Sequence, residues 1–276
     1  MYSNAKGFNY NNKSLKDVLS GIVIGYMDTP EESFGLEREI VGGSNTVNRE
    51  ISHAYNTKYT DTLEFTISLI HQNGDLFTYN EISKLTQWLT SPKSYRKLQF
   101  YDCDDNNFDI VYYAIATNIT PNIAGGMAGI TITFKCNASY GFKEKSQAID
   151  ITNVLDYPDH KTSIVLNCES DELESYVYPM LVFEVPTLWS NVKIENMSDQ
   201  NKIMDLYDME GNYTFDCQHQ IIHSDEGDVL LSDLFKMDEL QTLYWLRLVP
   251  GTNNIEITGR CKLTIKWLEP KKVGSF

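Results

Sequence analysis

Leu248-Val249-Pro250-Gly251-Thr252-Asn253-Asn254-Ile255, followed closely by Lys262-Leu263-Thr264-Ile265-Lys266-Trp267, decides the fold class of this 276-residue chain. Pro pre-sets φ at the second position of a tight turn and Gly accepts the positive φ that follows, so the first stretch reverses the chain at 250–251. The second alternates apolar Leu263, Ile265 and Trp267 with polar neighbours, the pattern of a strand with one wet face. The two pieces predict the closing hairpin of a β-sandwich. Neither contains a nucleophile, a general base or a phosphate-binding loop.

The same grammar runs backwards through the chain. Strands are expected at 163–167, 179–185, 191–196, 202–207, 212–216, 220–223, 244–249, 254–258 and 261–268, with turn chemistry at Met209-Glu210-Gly211-Asn212. Residues 141–150 are polar and without apolar period, and are read as a domain junction. In front of them lie strands at 18–27, 62–70, 97–102, 108–117 and 129–137. The 62–70 stretch, TLEFTISLI, puts Leu63, Phe65, Ile67 and Leu69 on one face. One helix stands out. Thr78-Tyr79-Asn80-Glu81 is a capping-box start, Ile82, Leu85 and Trp88-Leu89 recur at helical spacing, and Ser91-Pro92 stops it. The expected class is therefore mostly β with a single α-helix, in two domains covering residues 1–141 and 150–276.

Residues 28–60 differ from the rest. Two short alternating pieces, 36–41 and 47–55, flank Gly42-Gly43-Ser44-Asn45, which is read as their reversal. Such a polar hairpin has little core to pack on within its own subunit. An arm of this kind can instead add strands to an open sheet edge on a neighbour. Its candidate contact residues are Leu36, Arg38, Ile40, Val47, Arg49, Ile51 and Tyr55.

Composition narrows the function classes. Hydrophobic residues at 42% and charged residues at 22% suit a folded globular chain. A formal net charge of −15 repels nucleic acid and anionic membrane, so neither is expected as a partner. No apolar run reaches the roughly 18 residues a membrane helix needs, and the start lacks a secretory apolar segment. Five cysteines at wide spacings, with no CxxC pair, argue for a reducing compartment and against a disulfide framework. Cys136 and Cys217 read as small buried hydrophobes.

Several constellations touch on chemistry without completing it. Cys217, His219 and His223 would share one face of a continuous strand, but a structural zinc site needs a fourth ligand. Asp102-Cys103-Asp104-Asp105-Asn106-Asn107 resembles part of a calcium loop, yet lacks its central Gly and distal Glu and fits a hairpin tip better. Glu184 and Asp216 are strand carboxylates that a glycosidase could pair in space. Gly125-Gly126-Met127-Ala128-Gly129 leads into a strand, which excludes a dinucleotide loop. No GxSxG, HExxH or P-loop motif occurs, and neither a metal, a cofactor nor a catalytic residue is assigned. Tyr176, Tyr178, Trp189, Tyr207 and Tyr213 could line a sugar platform, with Trp189 and Tyr213 its leading residues; the competing reading is core and interface packing.

The order of these features resembles the distal tail protein of siphoviruses, a phage tail-component family. The resemblance rests on Gly7-Phe8-Asn9-Tyr10-Asn11-Asn12-Lys13-Ser14, the TLEFTISLI strand, the helix ending at Ser91-Pro92, Tyr112-Tyr113-Ala114 and the 129–136 strand. Further back it rests on Gly211-Asn212-Tyr213-Thr214-Phe215-Asp216-Cys217 and on 248–255. It implies an N-terminal β-sandwich-like ring domain, with the projecting arm at 36–55, and a galectin-like or jelly-roll C-terminal β-sandwich. It further implies a homo-hexameric ring at the virion tail tip, assembled in the bacterial host cytoplasm. That ring would join the tail tube protein to the tail-associated hub protein and, in some members, hold receptor-binding proteins. The rival from another class is a carbohydrate-binding module that attaches to host-wall glycans through its C-terminal sandwich.

Overall fold

The computed structural model describes residues 5–28, 38–42, 54–152, 161–225, 227, 229–235 and 243–272, without the side chains of 27–28, 54–55 and 186–189. The fold is mostly β. The chain divides into two compact units between Phe142 and Lys143.

The first unit contains β1 (Gly7–Tyr10), β2 (Lys13–Ser14), α1 (Leu15–Val18), β3 (Ile22–Asp28), β4 (Arg38–Gly42), β5 (Ala54–Tyr59), β6 (Glu64–His71), α2 (Tyr79–Thr90), β7 (Arg96–Tyr101), β8 (Ile110–Ile123) and β9 (Met127–Cys136). Its main sheet has the order β3-β6-β9-β8-β7-β1-β2. The sheet rolls back on itself: the Ile24 N–H donates to the Lys6 carbonyl at 2.9 Å, bringing β3 to the strand that begins the chain. Inside the roll, Phe8 stacks on Trp88 at 5.6 Å between centroids, while Phe8 and Tyr10 meet Phe134 edge-on at 5.5 and 5.3 Å. Helix α2 closes the roll with Leu85, Trp88 and Leu89, all buried. Trp88 Nε1 donates to the Tyr10 carbonyl at 3.2 Å, giving the indole N–H the partner that burial demands.

The capping box read from the sequence is formed. The Glu81 N–H donates to Thr78 Oγ1 at 3.3 Å, and the Thr78 N–H donates to Glu81 Oε2 at 2.8 Å. These two bonds satisfy donors that a helix start leaves orphaned. Two short helices went unforeseen, α1 here and α3 (Leu231–Leu234) in the second unit, each only four residues long. One turn of helix is too short for apolar periodicity to register.

Strand β10 (Gly141–Asp150) occupies the stretch expected to be a junction. Its burial is irregular and most of its side chains are exposed or half-exposed, so hydrophobic alternation carried no signal there. The second unit continues with β11 (Lys161–Cys168), β12 (Met180–Asn196), β13 (Lys202–Asp216), β14 (Ile221–Ser224), α3, β15 (Gly251–Thr258) and β16 (Lys262–Lys271). Strand β12 replaces two predicted strands and organises the unit. Residues 180–184 pair with β16, residues 193–196 pair with β15, and irregularities at 185–192 bend it between the two. Strand β13 likewise merges two predictions; the turn expected at 209–212 is a kink inside it, with Asp208 and Gly211 at φ +51° and +84°.

The predicted closing hairpin does not exist as such. Gly251 takes φ +94° as the turn chemistry requires, but the reversal sets Leu248 against Val177 in an isolated bridge and sends β15 to β11. Strands β15 and β16 do not pair with each other; both pair with β12. The chain passes between them at Gly259, φ +123°, where a Cβ would lie 2.5 Å from the Asn191 carbonyl oxygen, so any side chain would collide with backbone. The core of this unit gathers Phe183, Phe215, Trp245, Leu246, Ile255 and Trp267.

Candidate functional site

The most unusual element of the N-terminal unit is the β4–β5 ribbon. It forms a two-stranded sheet of its own, with Arg38 facing Tyr59, Ile40 facing Thr57 and Val41 facing Asn56. All five residues of β4 are exposed, including Ile40 at 65% and Val41 at 41%. Lys58 pairs with Glu39 at 3.0 Å across the strands. On β5, Tyr59 is half-buried and meets Tyr140 edge-on at 6.0 Å. A two-stranded ribbon with a wholly exposed strand is marginal in water. The register sets Val41 opposite Asn56 and Gly42 opposite Ala54, and Gly43, Ser44 and Asn45 of the expected reversal lie outside the described residues. Of the seven candidate arm residues, Arg38 and Ile40 sit on β4 and Tyr55 on β5. Leu36, Val47, Arg49 and Ile51 lie outside the described residues.

The candidate chemical sites resolve into structural roles. Cys217 is buried in the turn that follows β13, whereas His219 in the same turn is mostly exposed and sits 2.7 Å from Asp216. The two residues therefore do not share a strand face, contrary to the sequence reading. Burial pushes the Cys136 thiol up to about 12, and burial foremost, with the Asp216 carboxylate beside it, does the same for Cys217, so both remain protonated. Asp102 closes the β7 tip: its Oδ1 accepts from the Asp104 and Asn106 N–H groups at 2.9 Å each. Those bonds, the Asn106 backbone N–H foremost, hold its carboxyl below the ordinary range. Glu184 faces Lys262 at 3.6 Å and Asp216 is engaged by His219. Among the described residues, no group of three or more His, Cys, Asp or Glu is placed to hold a metal ion. No helix among them is long and apolar enough to cross a membrane.

The proposed sugar platform is dispersed. Tyr213 is only 9% exposed and belongs to the core, and Tyr207 donates its hydroxyl to Asp205 at 2.7 Å. The Trp189 side chain lies outside the described residues. Tyr176 carries the Arg247 guanidinium 3.7 Å above its ring centre, so one ring face is taken.

That arginine belongs to a network the sequence reading missed. Asp199, 2% exposed, accepts from Arg247 Nε at 2.7 Å, from an Arg247 terminal nitrogen at 3.1 Å and from the Tyr244 hydroxyl at 2.9 Å. Burial pushes the Asp199 carboxyl up, but the Arg247 and Tyr244 hydrogen bonds outweigh it and hold it below the ordinary range. The fork binds the 196–199 turn to the 244–247 segment, which was predicted as a strand but has only the Leu248 bridge. The partners stand 48 residues apart, and no local pattern links them.

The geometry is therefore one of scaffold and exposed ribbon. Comparison of the sequence with curated proteins gives no match. Among solved structures, the SPP1 Dit (gp 19.1) protein, described as a hub adsorption apparatus of phages infecting Gram-positive hosts, superposes with a TM-score of 0.61 at 13% identity, covering 96% of this chain and 98% of that one. A chain of the phage p2 baseplate in its activated conformation with Sr superposes at 0.53 and 9% identity, covering 95% and 97%. The corresponding structure with Ca gives 0.51 at 9% identity over 89% and 90%. These likenesses establish the shared fold. Two family models account for nearly the whole sequence, a phage tail protein N-terminal domain over residues 3–138 and a phage tail C-terminal domain over residues 140–267, and the chain belongs to that phage tail protein family.

Proposed function

We propose that this chain is a ring-forming hub component of a phage tail tip, with no catalytic role. In this reading, residues 1–141 build the ring, six copies close it, and residues 150–276 form a galectin-like sandwich. The ring joins the tail tube protein to the tail-associated hub protein and presents a surface for receptor-binding proteins. One observation carries the reading. The β4–β5 ribbon is a two-stranded sheet with a wholly exposed β4 strand, the form expected of a limb that is completed by a neighbouring subunit. A head-to-tail contact of that kind closes into a ring under cyclic symmetry. The fold shared with hub and baseplate proteins supports the same conclusion.

Deletion of residues 41–47 tests it. The shortened chain should keep its thermal transition but remain monomeric by light scattering, whereas the intact chain assembles. Unchanged assembly of the shortened chain would refute the role given to the ribbon.

A further inference from the structure

Three rungs across β6, β9 and β8 read Ile70-Gly129-Asn122, Ser68-Thr131-Thr120 and Thr66-Thr133-Asn118, on the side opposite the buried Ile67, Leu69, Ile130 and Ile132. None of these nine residues is charged, although charged residues make up 22% of the chain. Strand β3 adds Val23 and Tyr26 to the same face, and its Asp28, opposite Thr66, is the one charged residue in register with these rungs. We propose that this neutral face receives the β4–β5 ribbon of a second copy of the chain, an assignment that rests on the ribbon being the site of assembly and names the surface that completes it.

Charge and unburied apolar area select that occupant. At a formal net charge of −15, two copies repel over most of their surfaces and approach at least cost where one of them is neutral. The face leaves Tyr26 59% and Ile70 40% exposed, and the ribbon leaves Ile40 and Val41 exposed. Laying these four side chains against one another removes from water what neither surface buries alone. The polar groups at the centre of the face are already joined across the strands. Ser68 Oγ lies 3.0 Å from Thr131 Oγ1, which accepts from Asn122 Nδ2 at 2.9 Å. Covering hydroxyls that are satisfied in this way costs little.

One pair of opposite charges sets the direction of the ribbon. Arg38 on β4 and Glu64 on β6 are both exposed, and neither has an ionic partner among the described residues. Lys135, opposite Glu64, is engaged by Asp61 at 3.3 Å. Glu64 closes the neutral face at one end, about 13 Å along β6 from Ser68. With Ile40 set on the Tyr26–Ser68 rung, the step back to Arg38 covers about 7 Å of that span. The long arginine side chain covers the rest and brings its guanidinium to the carboxylate.

Assembly of full-length variants, followed by light scattering, tests the face separately from the ribbon. Thr133→Lys puts a charge into the neutral face and should abolish assembly while the thermal transition is kept. Thr120→Lys, at an exposed position, serves the same purpose if Thr133→Lys loses that transition. Ile40→Lys damages the ribbon and spares the face. Mixing it with the face variant therefore leaves one sound ribbon and one sound face, and should give dimers that grow no further. Arg38→Glu should weaken assembly about tenfold, the order of one charge-assisted pair, and Glu64→Arg in the same chain should restore it. Assembly unchanged by Ile40→Lys would overturn the role of the ribbon itself. With that role intact, face lysines that leave assembly unchanged, a mixture that stays monomeric, or a charge swap without rescue would overturn this face as its seat.

Discussion

Two antiparallel strand pairs of the N-terminal unit, β8–β9 and β4–β5, obey the same backbone rules and meet opposite fates. In β8–β9 the register runs from Ala114 opposite Cys136 to Ile123 opposite Met127, and Ala114, Ile130, Ile132, Phe134 and Cys136 are buried on one face. In β4–β5 the register is equally regular from Arg38 to Val41, yet β4 buries nothing. Hydrogen bonding is common to both pairs, so it cannot be what separates them. The difference lies in apolar area removed from water, at about 25 cal/mol per Å². The β8–β9 pair obtains that area from its own unit. Strand β4 obtains none of it, although Tyr59 on β5 meets Tyr140 edge-on at 6.0 Å, and that exposed strand is what supports the proposed site of assembly.

Substitutions can sharpen or break the contrast. The largest effect is expected from Phe134→Ala, which empties the centre of the rolled sheet beside Phe8 and Tyr10 and should cost about 3–5 kcal/mol, read by chemical denaturation. Arg247→Met should cost a similar or slightly smaller amount, about 3 kcal/mol, because it strands the buried Asp199 carboxylate. Its pH dependence is distinctive. In the native protein the folded Asp199 pKa lies below the unfolded value of about 3.9, so its contribution is complete above that value and fades as pH falls through the lowered one. Without Arg247 the balance tips toward burial, which favours the neutral acid. The gap in Tm between variant and parent should therefore narrow from pH 7 to pH 4; a constant gap would contradict the ion-pair account.

Thr78→Ala removes one half of the capping box and should cost about 1 kcal/mol, seen as a small drop in Tm. The smallest stability effect is expected at Ile40→Lys, within about 0.5 kcal/mol, since the side chain is already in water. That substitution should nevertheless abolish assembly in light scattering. If it instead destabilised the isolated chain as strongly as Phe134→Ala, the ribbon would be packed on its own subunit and the contrast would fail.

The sequence revealed what local periodicity encodes. TLEFTISLI became β6 with Phe65, Ile67 and Leu69 inside, and Thr78-to-Glu81 began the one long helix among the described residues. It concealed what depends on distant partners. Strand β10 is polar because most of it is not fully buried, so no alternation marked it. The apolar 244–249 stretch looked like a strand, but Tyr244 and Arg247 are drawn to Asp199 instead of a ladder. Turn residues at 208–211 and irregularities at 185–192 bend long strands, and single-sequence reading counted each long strand as two. Of the ribbon, the expected 36–41 piece overlaps β4, whereas β5 at Ala54–Tyr59 meets the expected 47–55 piece only at its end, since Asn56-Thr57-Lys58 carries no apolar alternation.

Hydrogen exchange through Arg38–Gly42, followed in concentrated and in highly diluted protein, tests most directly whether a second copy completes the ribbon. Slow exchange of those amides when the protein is assembled, giving way to fast exchange on dilution, is the predicted result. Rates that stay the same at every concentration would contradict it.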